Sequence, residues 1–155
     1  MIHYSNVKFV EYNEIFLNKS WEWLNNPRIK ELTNTPDFTR ESQQNWFNSL
    51  KYKKDYFIQG ILYKDIPIGV MGLKNITETQ AEYWGYIGEI DLWGKGIGTI
   101  IMDSAIKKAK ALNLKKIYLT VLDDNVAAKR LYEKFNFKTK ANKKDRLVYM
   151  ELELK

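Results

Sequence analysis

The 155-residue chain reads as an α/β protein, and three observations carry that reading. Strand-like runs at Gln80 to Ile87 and Lys116 to Leu122 enclose a helical pattern over 98–112. Such a strand–helix–strand crossover makes its two strands parallel. A compact Lys64-Asp65 turn joins two apolar runs, Tyr56 to Tyr63 and Ile66 to Leu73, as an antiparallel hairpin. Amphipathic helical spacing recurs on both sides of these segments, each time with its own start signal. No repeat, low-complexity tract or linker divides the chain, so residues 1–155 are expected to form one domain.

Taken in order, Val7 to Val10 reads as a short opening strand. Glu14 to Leu24 has helical spacing with Ile15, Phe16, Trp23 and Leu24 on its apolar side, and Asn25-Asn26-Pro27 ends it. Thr39-Arg40-Glu41-Ser42 starts a second helix carrying Trp46, Phe47 and Leu50. Pro67 sits at the beginning of its strand, where a missing donor is tolerated. Ile97, Ile101, Ala105 and Leu112 trace one helical face, Asp103, Lys107 and Lys110 lie on others, and Asn113 terminates the helix. Asn125 caps a further helix with Ala127, Leu131 and Phe135 at fourfold spacing. Phe135 to Lys140 and Arg146 to Leu154 close the chain as two strands around Asn142-Lys143-Lys144-Asp145.

Composition removes whole classes of chemistry. Without cysteine there are no disulfides, thiolate zinc sites or cysteine nucleophiles. The one histidine, His3, lies near a terminus, which argues against histidine triads and multi-histidine metal sites, so no metal is expected. No apolar run approaches the roughly 20 residues that span a bilayer. Met1 to Asn6 lacks a basic-then-apolar leader, so a cytoplasmic protein without a membrane partner is expected. The net charge of +6 is compatible with nucleic acid or an anionic cofactor, and its distribution decides between them. Lys51, Lys53 and Lys54, then Lys107, Lys108, Lys110, Lys115 and Lys116, then Lys138, Lys140, Lys143 and Lys144 read as solvated helix faces and turns. No zinc-finger, basic-zipper or RNP-like pattern accompanies them, so no nucleic-acid partner is expected.

The chemistry concentrates in Asp91-Leu92-Trp93-Gly94-Lys95-Gly96-Ile97-Gly98-Thr99, between the strand and the helix of the crossover. Glycine admits positive φ and lets a ligand lie against the peptide groups. The free N–H groups and positive dipole end of the following helix then favour an anion. Open α/β sheets bind ligands at this carboxyl end of their strands. The pattern is not a P-loop, because Gly96 rather than Ser or Thr follows Lys95. It also lacks the G-x-G-x-x-G offset of a dinucleotide fold. One glycine suffices for a bare turn; three in five residues point to a pyrophosphate.

Trp93-Gly94-Lys95-Gly96-Ile97-Gly98 followed by a helix resembles the acetyl-CoA pyrophosphate loop of the GCN5-related N-acetyltransferases. Asn125-Val126-Ala127-Ala128-Lys129-Arg130-Leu131-Tyr132-Glu133-Lys134-Phe135-Asn136-Phe137 resembles the second signature of that family, N-x-x-A-x-x-L-Y-x-K-x-G-F. Trp93 stands where the family usually has Gln or Arg, and Asn136 where it has Gly, a position Asn tolerates. The resemblance implies a mixed, mostly antiparallel twisted sheet of about six to seven strands with a central splayed parallel pair, flanked by about four helices. It implies acetyl-CoA as co-substrate, its pantetheine arm lying between strands 82–90 and 116–122. Main-chain groups of Gly88, Glu89 and Ile90 would pair with that arm, those of Lys95, Gly96, Ile97, Gly98 and Thr99 would hold the pyrophosphate, and Asn125 would reach the arm. Lys134 either meets a cofactor phosphate or is a solvated helix residue.

The implied reaction is direct attack of a primary amine on the thioester. Tyr132 matches the tyrosine that protonates the leaving thiolate; on spacing alone it is a packed aromatic. Glu82, Trp84 and Tyr86 alternate onto one strand face, where Glu82 could take the amine proton directly or through water. Glu89 and Asp91 read instead as capping or solvent-facing carboxylates, and an amine of low pKa needs no dedicated base. Trp21-Glu22-Trp23-Leu24-Asn25-Asn26-Pro27-Arg28-Ile29 resembles a W-x-x-[ND]-P segment of two branches of the family. One acts on nucleotide-linked deoxyaminosugars of the pseudaminic-acid pathway, the other on ribosomal-protein N-termini. The aminosugar reading comes first, since the chain is basic and aromatic and a polyamine would want an acidic groove. A peptide N-terminus is the alternative, and a silent acyl-CoA-binding module the reading from another class. Trp23, Asn26 and Trp84 are candidate acceptor contacts, in a monomer or homodimer.

Overall fold

The computed structural model describes residues 3–142 and 145–155. Its strands are β1 (Val7–Glu11), β2 (Phe57–Tyr63), β3 (Ile66–Lys74), β4 (Gln80–Ile87), β5 (Lys116–Leu122), β6 (Lys138–Asn142) and β7 (Leu147–Glu153). Its helices are α1 (Glu14–Asn25), α2 (Pro27–Leu32), α3 (Arg40–Ser49), α4 (Ile97–Ala111) and α5 (Val126–Lys134). The strands form one seven-stranded sheet in the order β1-β2-β3-β4-β5-β7-β6. Every neighbouring pair is antiparallel except β4 and β5. Those two are paired at Gln80↔Lys116, Ala81↔Ile117 and Glu82↔Tyr118, and beyond that point they part.

Alternation along each strand divides the core into two layers. Met71, Tyr83, Ile117, Leu119 and Val121 pack with Ile97, Ile101, Met102, Ala105 and Ala109 of α4 and with Tyr132 of α5. Their strand neighbours Val70, Trp84 and Tyr86 face the opposite way, toward Phe16, Leu17 and Trp23 of α1, Ile29 of α2 and Trp46 of α3. The sheet is therefore sandwiched, with α1 to α3 on one face and α4 and α5 on the other.

Local chemistry sets the element ends. Lys64 (φ 50°) and Asp65 (φ 67°) close the β2–β3 hairpin through two left-handed residues, the backbone that matches strand twist. Thr39 and Ser42 form a reciprocal capping box on α3. Asn113 leaves α4 at φ 60°.

Several expectations shift by a residue or a turn. Asn25-Asn26-Pro27 does more than end α1: Asn26 caps a new helix with Pro27 in its first turn, so five α-helices flank the sheet rather than about four. The buried stripe of α1 is Phe16, Leu17, Ser20 and Trp23, while Ile15, one step outside that stripe, is 60% exposed. Leu112 follows the last helical residue and is half-exposed, and Leu114 takes the buried position. On α5 the inward face runs through Ala128 and Tyr132, leaving Ala127 exposed. Phe135-Asn136-Phe137 is a turn with Asn136 at φ 74°, so β6 starts at Lys138. Lys143 and Lys144 of the expected last turn lie outside the described residues.

Candidate active site

Where β4 and β5 part, a cleft of about 1160 Å³ opens between the sheet's two helical layers. Tyr83, Trp84, Tyr86 and Ile87 border it from β4, and Leu119 to Leu122 from β5. Gly94, Gly96, Gly98 and Thr99 border it from the glycine loop, and Asn125, Ala128, Leu131 and Tyr132 from the α5 side.

The glycines of the loop have separate reasons. Gly94 (φ 73°) and Gly96 (φ 91°) occupy backbone that a side chain rarely adopts, with open space where a Cβ would stand. Gly98 is helical, and a Cβ there would come 3.1 Å from Leu131, so it admits the close approach of α5. Gly96 is the N-cap residue of α4 and offers no side-chain cap to the first turn. The N–H groups of Ile97, Gly98 and Thr99 thus head a 15-residue helix with no cap from Gly96, a donor set that fits a pyrophosphate. Lys95 is exposed at the tip of the loop. Trp93 secures the loop by donating its Nε1–H to the Ile87 carbonyl at 2.9 Å. The Arg28 guanidinium lies over the Trp93 ring, 5.5 Å from its centroid.

Three of the six main-chain groups at Gly88, Glu89 and Ile90 are engaged within the protein. Gly88 N–H donates to the Ile68 carbonyl at 2.7 Å, and the Glu89 and Ile90 carbonyls accept from Leu92 and Trp93. Because main-chain groups alternate sides along a strand, the N–H of Ile87 is the one that faces β5 across the parting. Glu89 directs its carboxylate to the Trp23 indole at 2.7 Å. The Trp23 ring lies against Gly88, where a Cβ would come within 2.1 Å of it.

Of the candidate acceptor contacts, only Trp84 borders the cleft. Its Nε1–H is buried without a partner, and a Cβ at Gly72 would come 2.7 Å from it, so β3 has a glycine where the indole lies. Trp23 is buried beneath Gly88, and the Asn26 side chain accepts from the N–H groups of Arg28 and Ile29 as the cap of α2. Lys134 is exposed in the last turn of α5, away from the cleft.

Tyr132 packs between Tyr83 and Phe137, with ring centroids 6.3 and 5.7 Å away. Its hydroxyl has no hydrogen-bond partner among the described residues, and burial pushes its pKa up to about 12. It is a protonated donor beside the cleft. Asn125 Oδ1 accepts from the Ala128 N–H at 3.3 Å and so starts α5, which carries Tyr132. Glu82 sits at the closed end of the parting, accepting from Asn75 at 3.2 Å with Lys74 at 3.9 Å. Among the described residues no group of three His, Cys, Asp or Glu side chains converges as a metal site.

Sequence reasoning overlooked the hydroxyls of Tyr12, Ser20 and Tyr86, which meet at the cleft's floor, and the cation of Arg28 at its rim. Arg28 stands beside the W-x-x-N-P segment and was findable there; Ser20 carries no local signal.

Comparison with known proteins bears on the same residues. The family pattern described as "Acetyltransferase (GNAT) family" matches residues 18–137. An uncharacterized protein of Methanocaldococcus jannaschii is 27% identical over 82% of this chain, which spans about a quarter (27%) of that protein's length. The acetyltransferase PseH of Campylobacter jejuni is 29% identical over 83% of this chain and 81% of its own. Among solved structures, a domain from M. jannaschii superposes with a TM-score of 0.86 at 22% identity, covering 96% of this chain and 98% of that one. PseH in complex with acetyl coenzyme A gives 0.75 at 20%, covering 96% and 99%. The spermidine N-acetyltransferase of Vibrio cholerae with CoA and spermine gives 0.85 at 21%, covering 96% of both chains. The chain belongs to the GNAT family of acetyl-CoA-dependent acetyltransferases.

Proposed function

We propose that the protein transfers the acetyl group of acetyl-CoA to the amino group of a nucleotide-linked aminosugar. The charge of the cleft carries the reading. Two carboxylates border it, and both are matched: Glu82 by Lys74 and Asn75, Asp124 by Arg146 at 2.5 Å. Arg28 borders it too, exposed and with no carboxylate partner among the described residues. A polycation finds no free anion there, whereas a phosphate-bearing acceptor finds a guanidinium suited to bidentate contact.

In this reading the N–H groups of Lys95 to Thr99 hold the cofactor's pyrophosphate and the Ile87 N–H orients its arm. The acceptor's neutral amine attacks the thioester carbonyl, the carbon–sulfur bond breaks, and Tyr132 gives its proton to the leaving sulfur. The amine's proton leaves through water toward Glu82.

Replacing Arg28 by Gln tests the reading. The KM for a nucleotide-linked aminosugar is expected to rise roughly tenfold, the loss of a charge-assisted hydrogen bond, with the unlinked aminosugar unaffected. An equal change for both acceptors contradicts it.

A further inference from the structure

Three hydroxyl groups meet at the floor of the cleft. Tyr86 of β4 donates to Ser20 Oγ at 3.0 Å, and Ser20 and Tyr12 share a second hydrogen bond at 3.2 Å. Three O–H groups make two bonds, so one proton is left over whichever way the second bond runs. Beside them stands Tyr56, whose hydroxyl donates to no acceptor among the described residues, so its proton is also left over. All four side chains border the cleft. Burial pushes the Tyr12 and Tyr56 phenols up to about 12, which keeps both protonated and donating at neutral pH.

We infer that this end of the cleft is a subsite for a carbonyl oxygen of the acceptor, received by the unmatched hydroxyl protons of the Tyr12–Ser20 pair and of Tyr56. No carboxylate belongs to the group, so an ammonium finds no opposite charge there. A ligand hydroxyl brings a proton of its own that must be taken by a phenol oxygen, a weaker acceptor than a carbonyl or carboxylate. A carbonyl brings two lone pairs and no proton. The Trp46 ring, 5.7 Å from Tyr12, and the Trp84 ring, 6.3 Å from Tyr56, give the flat apolar flanks that a planar amide or base needs. On an aminosugar nucleotide such a carbonyl comes from an acylamino arm or from a pyrimidine base. The inference rests on the aminosugar reading for the choice of amine, but binding tests it without turnover.

Titration calorimetry with N-acetylglucosamine and with uridine monophosphate, on protein saturated with CoA, separates the two sources. One probe is expected to bind the unaltered protein and to lose about five- to tenfold in affinity in both Tyr12→Phe and Tyr56→Phe, the effect of one hydrogen bond each. Glucosamine, which lacks the carbonyl, serves as the reference, and CoA affinity reports an intact cleft. If neither probe binds the unaltered protein, or if both Phe variants bind like it, the subsite is overturned. If turnover selects a peptide or a polyamine, the aminosugar reading fails instead, and these titrations still decide the subsite.

Discussion

The Trp23 indole donates to the Glu89 carboxylate at 2.7 Å, joining helix α1 to the end of β4 across 66 residues of sequence. The same ring lies against Gly88, and five residues on Trp93 returns a bond to Ile87. Two indoles thus hold the short segment that leads from the parted strand into the glycine loop. Helix α1 thereby fixes the position of the segment that enters the glycine loop.

Replacing Trp23 by Phe removes the donor to Glu89, an exposed residue, and shrinks a buried ring. The expected loss is about 1–3 kcal/mol, a fall of roughly 3–10 °C in Tm for a chain of this size. Glu89→Gln keeps an acceptor oxygen and should lose less. Thermal unfolding of the two variants checks the order, and equal losses would show that the ring contact alone matters.

Glycine substitutions should separate packing from backbone. At Gly88 a Cβ would come 2.1 Å from the Trp23 ring, so Gly88→Ala is expected to destabilise by about 1–3 kcal/mol through overpacking. At Gly96 there is open space but φ is 91°, so Gly96→Ala strains the turn by about 1–2 kcal/mol. The second should raise the KM for acetyl-CoA the more, several-fold, because it reorients the first N–H groups of α4. Denaturant midpoints and initial rates read both effects.

How much of this was legible in the sequence follows from the range of each interaction. The parallel crossover, the hairpin turn and the Asn125 cap depend on neighbours within a few residues, and spacing revealed them. Trp23 pairing with Glu89, and Tyr86 with Ser20, join residues 66 positions apart, for which no local pattern exists. Trp23 and Asn26 read as acceptor contacts because the segment that holds them resembles one. Their polar atoms are engaged by Glu89 and by the α2 cap, which only the packed chain reveals. The serine at position 20 is unremarkable in a helix until its burial beneath two phenols is seen.

Alkaline pH should expose the buried phenols. Tyr12, Tyr56 and Tyr132 are raised from the ordinary 10.0 to about 12 by burial. The unfolded chain loses these protons near pH 10 while the folded chain keeps them, so their contribution is intact below about pH 10 and is lost as pH rises toward 12. Urea midpoints should be level from pH 7 to 9 and fall steeply above 10. Tyr12→Phe should flatten that fall, and a fall of unchanged steepness would remove Tyr12 from the cause.

Tyr132→Phe keeps the ring contacts with Tyr83 and Phe137 and removes the proton donor. A drop in kcat of about 100-fold or more is expected, with the KM for acetyl-CoA nearly unchanged. Steady-state kinetics, supported by single-turnover rates to confirm that chemistry limits, is the check. Unchanged turnover would assign Tyr132 to packing.

The acceptor is tested most directly by release of the CoA thiol from acetyl-CoA with a panel of amines at matched concentration, the products identified by mass spectrometry. The charge of the cleft leads us to expect turnover with a nucleotide-linked aminosugar, and kcat/KM for spermidine and for peptide N-termini lower by at least about tenfold, the worth of a charge-assisted contact. Preferred turnover of a peptide or of spermidine, or acetyl-CoA binding without turnover of any amine, would contradict it.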